Sequence, residues 1–128
     1  MVTPSLLITD DDAALRETMG GLFQPRGFRI LMAGDGEEAL RIVEREEVHL
    51  MLLDMHMPKL TGLETLRRVK LFKSSLPCIL LSARCDDFLI AQGRQAMAHL
   101  VLAKPVSRQL LTSAVDQALE GVYGWRVE

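Results

Sequence analysis

Four short segments of this 128-residue chain carry side chains able to do chemistry: Asp10-Asp11-Asp12, Asp54, Ser82, and Lys104 followed by Pro105. Each ends an apolar run. Leu6-Leu7-Ile8 leads to the acidic triplet, Leu52-Leu53 to Asp54, Leu80-Leu81 to Ser82, and the run from Leu100 to Ala103 to Lys104. Where such runs are parallel strands, their carboxyl ends gather these residues at one sheet edge, and carboxylates crowded there repel unless a hard divalent cation sits among them. Such a cation also admits a phosphoryl group. A carboxylate can attack phosphorus to form an acyl phosphate, while the Ser82 hydroxyl and the Lys104 ammonium take the other equatorial oxygens. The residue types point to a phosphoryl-accepting, Mg2+-binding switch.

The elements that must position these groups are legible as alternating patterns. Apolar runs recur at residues 6–8, 28–33, 48–53, 78–81 and 100–103, and they are nearly continuous, as in strands covered on both faces of a parallel sheet. Helical period fills the gaps. Leu15, Met19, Leu22 and Phe23 form one stripe, Ala39, Leu40 and Val43 a second, Leu63, Leu66 and Val69 a third, and Leu110, Leu111, Ala114, Val115, Ala118 and Leu119 the clearest. Residues 86–97 are ragged, with Phe88, Leu89 and Ile90 consecutive and Gly93 interrupting. This fourth helix is expected to be the least stable, and its apolar patch a contact surface. Pro25-Arg26-Gly27, Gly62 and Pro77 mark turns and element boundaries.

Strands alternating with helices through short links imply right-handed crossovers and an α/β fold. Periodicity alone does not give strand order; the expectation is a flavodoxin-like (βα)5 doubly wound three-layer sandwich, an arrangement whose parallel sheet runs in the order 2-1-3-4-5. Its switch point lies between the first and third strands, the two that end in Asp10-Asp11 and Asp54.

With 48 % apolar residues the chain is long enough for one core and too short for two ordinary domains. Residues 1–122 are read as one domain. The remainder, in a segment 121–128 that holds the only Trp and the only Tyr, reads as a tail or the start of a linker to an absent output region. A net charge of −2 and scattered Lys and Arg argue against direct nucleic-acid binding. No apolar stretch approaches the roughly 18 residues that span a bilayer, and Met1-Val2-Thr3-Pro4 lacks a charged leader pattern, so no membrane contact and a cytoplasmic location are expected. Cys78 and Cys85 lack partners at metal or redox spacing and read as structural or incidental thiols. His49 and His99 open apolar strands and read as half-buried edge groups, and Asp12 reads as a helix N-cap rather than a ligand.

Taken in order, Leu6-Leu7-Ile8-Thr9-Asp10-Asp11-Asp12, Leu53-Asp54-Met55-His56-Met57-Pro58-Lys59-Leu60-Thr61-Gly62, Leu80-Leu81-Ser82-Ala83 and Ala103-Lys104-Pro105 resemble the receiver domain of bacterial two-component response regulators. The likeness covers essentially the whole chain. It implies a phosphoacceptor at Asp54 and a Mg2+ site in which Asp11 ligates directly, Asp10 holds metal-bound water, and Asp54 and the His56 backbone carbonyl contribute. It further implies that Ser82 and Lys104 bind the phosphoryl group and that the Lys104-Pro105 bond is cis. The donor would be a phosphohistidine on a sensor histidine kinase or a phosphotransfer protein. The chain would then be no enzyme in its own right, but would assist its own phosphorylation and dephosphorylation.

Phosphorylation brings about −2 of charge and three acceptor oxygens, enough to draw Ser82 inward and shift the loop toward Asp86. The implied readout is the face made by the fourth helix, fifth strand and fifth helix, with Phe88, Leu89 and Val101 on the signalling surface for an output domain or a homodimer. Two positions depart from the family pattern. Val101 stands where an aromatic is common, and His56 would overhang the phosphoryl group, either setting its lifetime or standing in solvent. Two other functions remain open at this stage. A Mg2+-dependent phosphatase of haloacid dehalogenase type uses similar groups, though its nucleophile follows the first strand and its second Asp falls where His56 stands. A receiver-fold interaction module that is never phosphorylated is the other, and the intact acidic pair, Asp54, Ser82 and Lys104 count against it.

Overall fold

Strands and helices alternate along residues 2–126, the part of the chain described by the computed structural model. In order they are β1 (Ser5–Thr9), α1 (Ala13–Phe23), β2 (Arg29–Ala33), α2 (Gly36–Arg45), β3 (Leu50–Asp54), α3 (Gly62–Phe72), β4 (Cys78–Ser82), α4 (Asp87–Gln95), β5 (Leu100–Ala103) and α5 (Arg108–Tyr123). A turn of 3-10 helix at Gln24–Arg26 closes on Gly27, whose φ of 90° suits a residue without Cβ. All strand pairs are parallel, and the order β2-β1-β3-β4-β5 is the expected one.

Side chains alternate across the sheet, and this splits the core in two. Leu6, Ile8, Leu50, Leu52, Ile79 and Leu81 face α1 and α5, whereas Leu7, Met51, Leu53, Cys78 and Leu80 face α2, α3 and α4. Both faces of the three central strands are therefore covered, which is why their sequences are apolar without interruption. The edge strands differ from that expectation. Arg29 and Met32 on β2 and Leu100 and Ala103 on β5 are exposed, because an edge strand is covered less completely by the flanking helices.

Each helix begins on a side chain that accepts from the backbone amide three residues later: Asp12 from Leu15, Asp35 from Glu38, Thr61 from Glu64, Asp86 from Leu89 and Ser107 from Leu110. Such a cap is worth about 1 kcal/mol. Asp12 is the N-cap that its position suggested, and Thr61 with Glu64 completes a reciprocal capping box. These caps fix where the chain turns from the sheet edge into each helix.

Three sequence readings need correction. Gly93 is no flaw in α4: a Cβ there would lie 2.7 Å from Val101 Cγ2, so the glycine lets the helix close onto β5. In the Phe88-Leu89-Ile90 run, Leu89 is buried in the core, and Phe88 alone of the three is strongly exposed, at 71 %. Leu89 therefore leaves the signalling surface, because α4 turns it inward onto the sheet. His99 is exposed rather than half-buried, while His49 is half-buried as expected.

Residues 121–125 are also not the tail that composition suggested. α5 runs to Tyr123, whose hydroxyl donates to the His49 carbonyl at 2.7 Å, and Trp125 stacks on Tyr123 with ring centroids 4.4 Å apart. Both rings stand edge-on to His49, and His49 Nδ1 accepts from the Ser5 amide at 2.9 Å. This aromatic cluster ties residues 123–125 to the starts of β1 and β3. Of the expected tail, residues 127–128 lie outside the described residues.

Tyr123→Phe is expected to lower stability by about 1 kcal/mol, the usual worth of a partly buried hydrogen bond. Gly21→Ala should act in the opposite sense by about 0.5–1 kcal/mol, since Gly21 lies inside α1 with open space around its Cβ position. Urea denaturation at constant slope measures both.

Candidate functional site

Every candidate side chain sits at or just past the carboxyl end of a strand. Asp54 ends β3, Ser82 ends β4, and Asp10 and Lys104 follow β1 and β5 closely. The register aligns these ends: Thr9 pairs with Leu53, Asp54 with Leu81, and Ser82 with Ala103. Asp10 therefore projects beside Asp54 across neighbouring strands, at the switch point of the sheet. The result is a cluster in which carboxylate oxygens of Asp10, Asp11 and Asp54 lie within 4.8 Å of one another.

Lys104 joins this cluster. Its Nζ donates to Asp10 Oδ2 at 2.9 Å and lies 2.9 Å from Asp54 Oδ1. Asp10 is held from its other side as well, with Oδ1 accepting from the Asp12 amide at 2.9 Å and its backbone carbonyl accepting from Arg16 Nη1 at 2.6 Å. Burial raises the Asp54 pKa above the ordinary carboxylate value, and the nearby Asp10 charge adds to it. The hydrogen bond and charge of Lys104 and the His56 amide work in the opposite direction without overcoming it. Burial also opposes the Lys104 ammonium, yet the hydrogen bonds and charges of both aspartates keep its pKa above the usual lysine value. The two partners thus weigh the pair differently: the Asp54 side chain is 5 % exposed and that of Lys104 20 %, so desolvation outweighs the pairing at the carboxylate and not at the ammonium. One ammonium against three carboxylates leaves the site short of positive charge. Oxygen-only donors at this spacing suit a hard divalent cation.

The loop after β3 is fixed by close backbone contact. The Met55 amide donates to the Leu81 carbonyl at 2.8 Å, and the Gly62 amide donates to the Met55 carbonyl at 2.9 Å. A Cβ on Gly62 would run into the Asp54 carbonyl oxygen and come within 2.8 Å of Met55 Cα, so only glycine lets α3 start this near the acidic residue. Lys59, with φ of 68°, turns the intervening segment. His56 is exposed, and its Nε2 lies 3.3 Å from Ser82 Oγ, which also accepts from the Arg84 amide at 3.1 Å. The Lys104-Pro105 bond is cis, as the family resemblance implied.

Asp10, Asp11, Asp54 and Lys104 are thus brought together, and Ser82 stands at the adjoining strand end. Val101, by contrast, is packed under Gly93 of α4. Sequence reasoning missed Arg16, which orients Asp10 from α1, and it read Gly62 only as a boundary. The position of Gly62 directly after the Thr61 cap was the available signal, since a loop re-entering beside a strand end leaves no room for a side chain. Cys78 is an inert core thiol, its pKa pushed up to about 12 by burial.

A divalent cation is expected to raise the thermal midpoint, by about 2.7 kcal/mol of stability at a hundredfold excess over its dissociation constant. Asp11→Asn and Asp54→Asn should each shrink that gain. In chelator, Asp54→Asn should be more stable than wild type by about 0.5–2 kcal/mol, because burial opposes the charged form. Thermal scans with and without Mg2+ measure all three.

Comparison with known proteins agrees with this arrangement. The family model of the response regulator receiver domain matches residues 6–116. The transcriptional regulatory protein AfsQ1 of Streptomyces coelicolor is 33 % identical over 116 residues, covering 91 % of this chain and 51 % of that protein. The sporulation initiation phosphotransferase F of Bacillus subtilis is 30 % identical over 119 residues, covering 93 % and 96 %. This chain spans about half of AfsQ1 and of the pneumococcal response regulator RR06, and 26 % of the Escherichia coli regulator GlrR. Among solved structures, the signal receiver domain of an HD-domain-containing protein from Pseudomonas fluorescens Pf-5 superposes with a TM-score of 0.90 at 28 % identity, covering 97 % of this chain and 100 % of that one. A CheY-like receiver domain protein from Methanospirillum hungatei JF-1 shares the fold with a TM-score of 0.92 at 22 % identity, over 96 % and 98 %. A chain whose strand ends converge in this way, and which matches that family over nearly its full length, belongs to the receiver domains of two-component response regulators.

Proposed function

We propose that Asp54 accepts a phosphoryl group from a phosphohistidine on a sensor histidine kinase or phosphotransfer protein, and that Mg2+ is required. The observation that carries this reading is the placement of Lys104 Nζ 2.9 Å from both Asp10 and Asp54, inside a group of three converging carboxylates. In the reaction an Asp54 carboxylate oxygen attacks phosphorus, the phosphorus–nitrogen bond to the donor breaks, and the imidazole leaves with the electron pair. Asp10, Asp11, Asp54 and the His56 carbonyl would hold Mg2+, which would supply positive charge to the phosphoryl oxygens. The Asp10 carboxylate is already oriented for this by the Asp12 amide. Lys104 keeps its proton and serves as a fixed charge for one phosphoryl oxygen, and Ser82 offers its hydroxyl to another.

The energetic effect is a bias on an existing equilibrium. Moving it from 1:99 to 99:1 takes about 5.5 kcal/mol of differential interaction, which a few charge-assisted contacts can supply. The readout surface is α4, β5 and α5, where Phe88, Met97, Leu100 and Leu110 are exposed apolar groups. An output region or a second copy of the chain is the partner such a face serves, in keeping with the greater length of several relatives. Donors of this kind go with a cytoplasmic location, which is part of this reading. No helix among the described residues is long and apolar enough to cross a membrane. No turnover of free phosphate esters is part of this reading, only uptake and loss of the chain's own phosphoryl group.

Incubation with acetyl phosphate and Mg2+ followed by intact mass should add one phosphoryl group to wild type and none to Asp54→Asn. Lys104→Ala should slow uptake by about 10²-fold or more, in line with loss of one group that stabilises developing charge. Full modification of Asp54→Asn would overturn the assignment.

A further inference from the structure

The Ser82 hydroxyl is engaged before any phosphoryl group arrives. Ser82 is fully buried, and its Oγ accepts from the Arg84 amide at 3.1 Å while lying 3.3 Å from His56 Nε2. A serine hydroxyl has one proton to give, and a buried one is satisfied in nearly all folded proteins. An amide can only donate. Among the described residues, His56 Nε2 is the partner of Ser82 Oγ able to accept, in the tautomer that carries its ring proton on Nδ1. A phosphoryl oxygen on Asp54 is likewise an acceptor and needs the same proton from Ser82.

We propose that His56 is a positioning residue that latches Ser82 in its resting arrangement, and that phosphorylation switches the chain by moving the Ser82 hydrogen bond from His56 Nε2 to a phosphoryl oxygen. This rests on the reading of Asp54 as phosphoacceptor. No covalent bond changes in the step. The Ser82 proton keeps its oxygen and exchanges one acceptor for another, while the freed imidazole turns to water. The latch joins the loop after β3 to the last residue of β4, from which a short loop leads to the Asp86 cap of α4. It also stands where no aromatic rotor operates, since the β-branched Val101 is packed against Gly93. Losing one such hydrogen bond from the resting state should favour the switched state about twofold to tenfold.

The test uses the whole 15N-labelled chain at fixed pH, with beryllofluoride and Mg2+ as the probe for the modified state. The Arg84 amide reports the Ser82 hydroxyl it donates to. In His56→Ala without probe, that amide should move part of the way toward its position in probe-saturated wild type, and half-saturation should need about twofold to tenfold less beryllofluoride. His56→Gln, whose side-chain oxygen can accept, should restore both toward wild type. An Arg84 amide that stays put in His56→Ala, or a His56→Gln variant indistinguishable from His56→Ala, overturns the latch. Wild type that binds no beryllofluoride sinks the Asp54 reading and the exchange with it. The resting bond is then judged separately: the Nε2 nitrogen signal of His56 must move in Ser82→Ala, and an unmoved signal shows that the bond is not there.

Discussion

The short contacts from Lys104 to Asp10 and Asp54 govern the carboxyl edge of this sheet. Three carboxylates within 4.8 Å are a costly arrangement, and two of them, Asp10 and Asp54, are almost wholly buried. One ammonium offsets part of the repulsion and part of the desolvation, without overcoming the burial of Asp54. The remainder is carried by what lies beneath: two apolar layers packed on the two faces of β1, β3 and β4, and five helix caps that hold the loops short. A raised Asp54 pKa goes with that imbalance, in a group kept short of compensation by the protein's own charges.

The cluster is precise because its members hang from strands rather than from free loops. Asp54 is itself a strand residue, paired with Leu81, and its neighbour Met55 is hydrogen-bonded across to β4. Asp10 is clamped at three atoms by the Asp12 amide, Lys104 and Arg16. Asp11, in contrast, is exposed, so the cluster combines two fixed carboxylates with one that faces solvent. Gly62 sets the closeness of the opposite wall, since any side chain there would push α3 away from the Asp54 carbonyl.

Most of this was legible in the sequence because the same physics writes both. Continuous apolar runs announced strands buried on two sides, and the polar residues that end them could only converge at one edge once the strands were parallel. The illegible parts share a cause, dependence on contacts between residues distant in the chain. Gly93 looked like a helix defect until the helix was seen lying against Val101. Tyr123 and Trp125 looked like tail because nothing local reveals that His49, more than seventy positions earlier, supplies both a carbonyl and a ring. Leu89 and Phe88 are adjacent and equally apolar, and only the orientation of α4 decides that one is core and the other surface. The contacts of Arg16 with Asp10 and of the His56 ring with Ser82 are tertiary in the same way.

That orientation also constrains how a change at the site travels. α4 is anchored along its length, by Leu89 in the core and by Gly93 against β5, so it resists moving as a body. Its amino end is held at Asp86, four residues beyond Ser82, whose carboxylate accepts from the Leu89 amide at 2.9 Å and whose carbonyl accepts from the Ile90 amide at 3.0 Å. Ala83 and Arg84 between them are exposed and carry little packing. Displacement of Ser82 therefore has an inexpensive route along this loop and a costly one through the helix. Phe88 stands on the first turn just past the cap, the largest exposed apolar group at that end. A rearrangement confined to this loop and cap would reach that ring without moving α4 as a body.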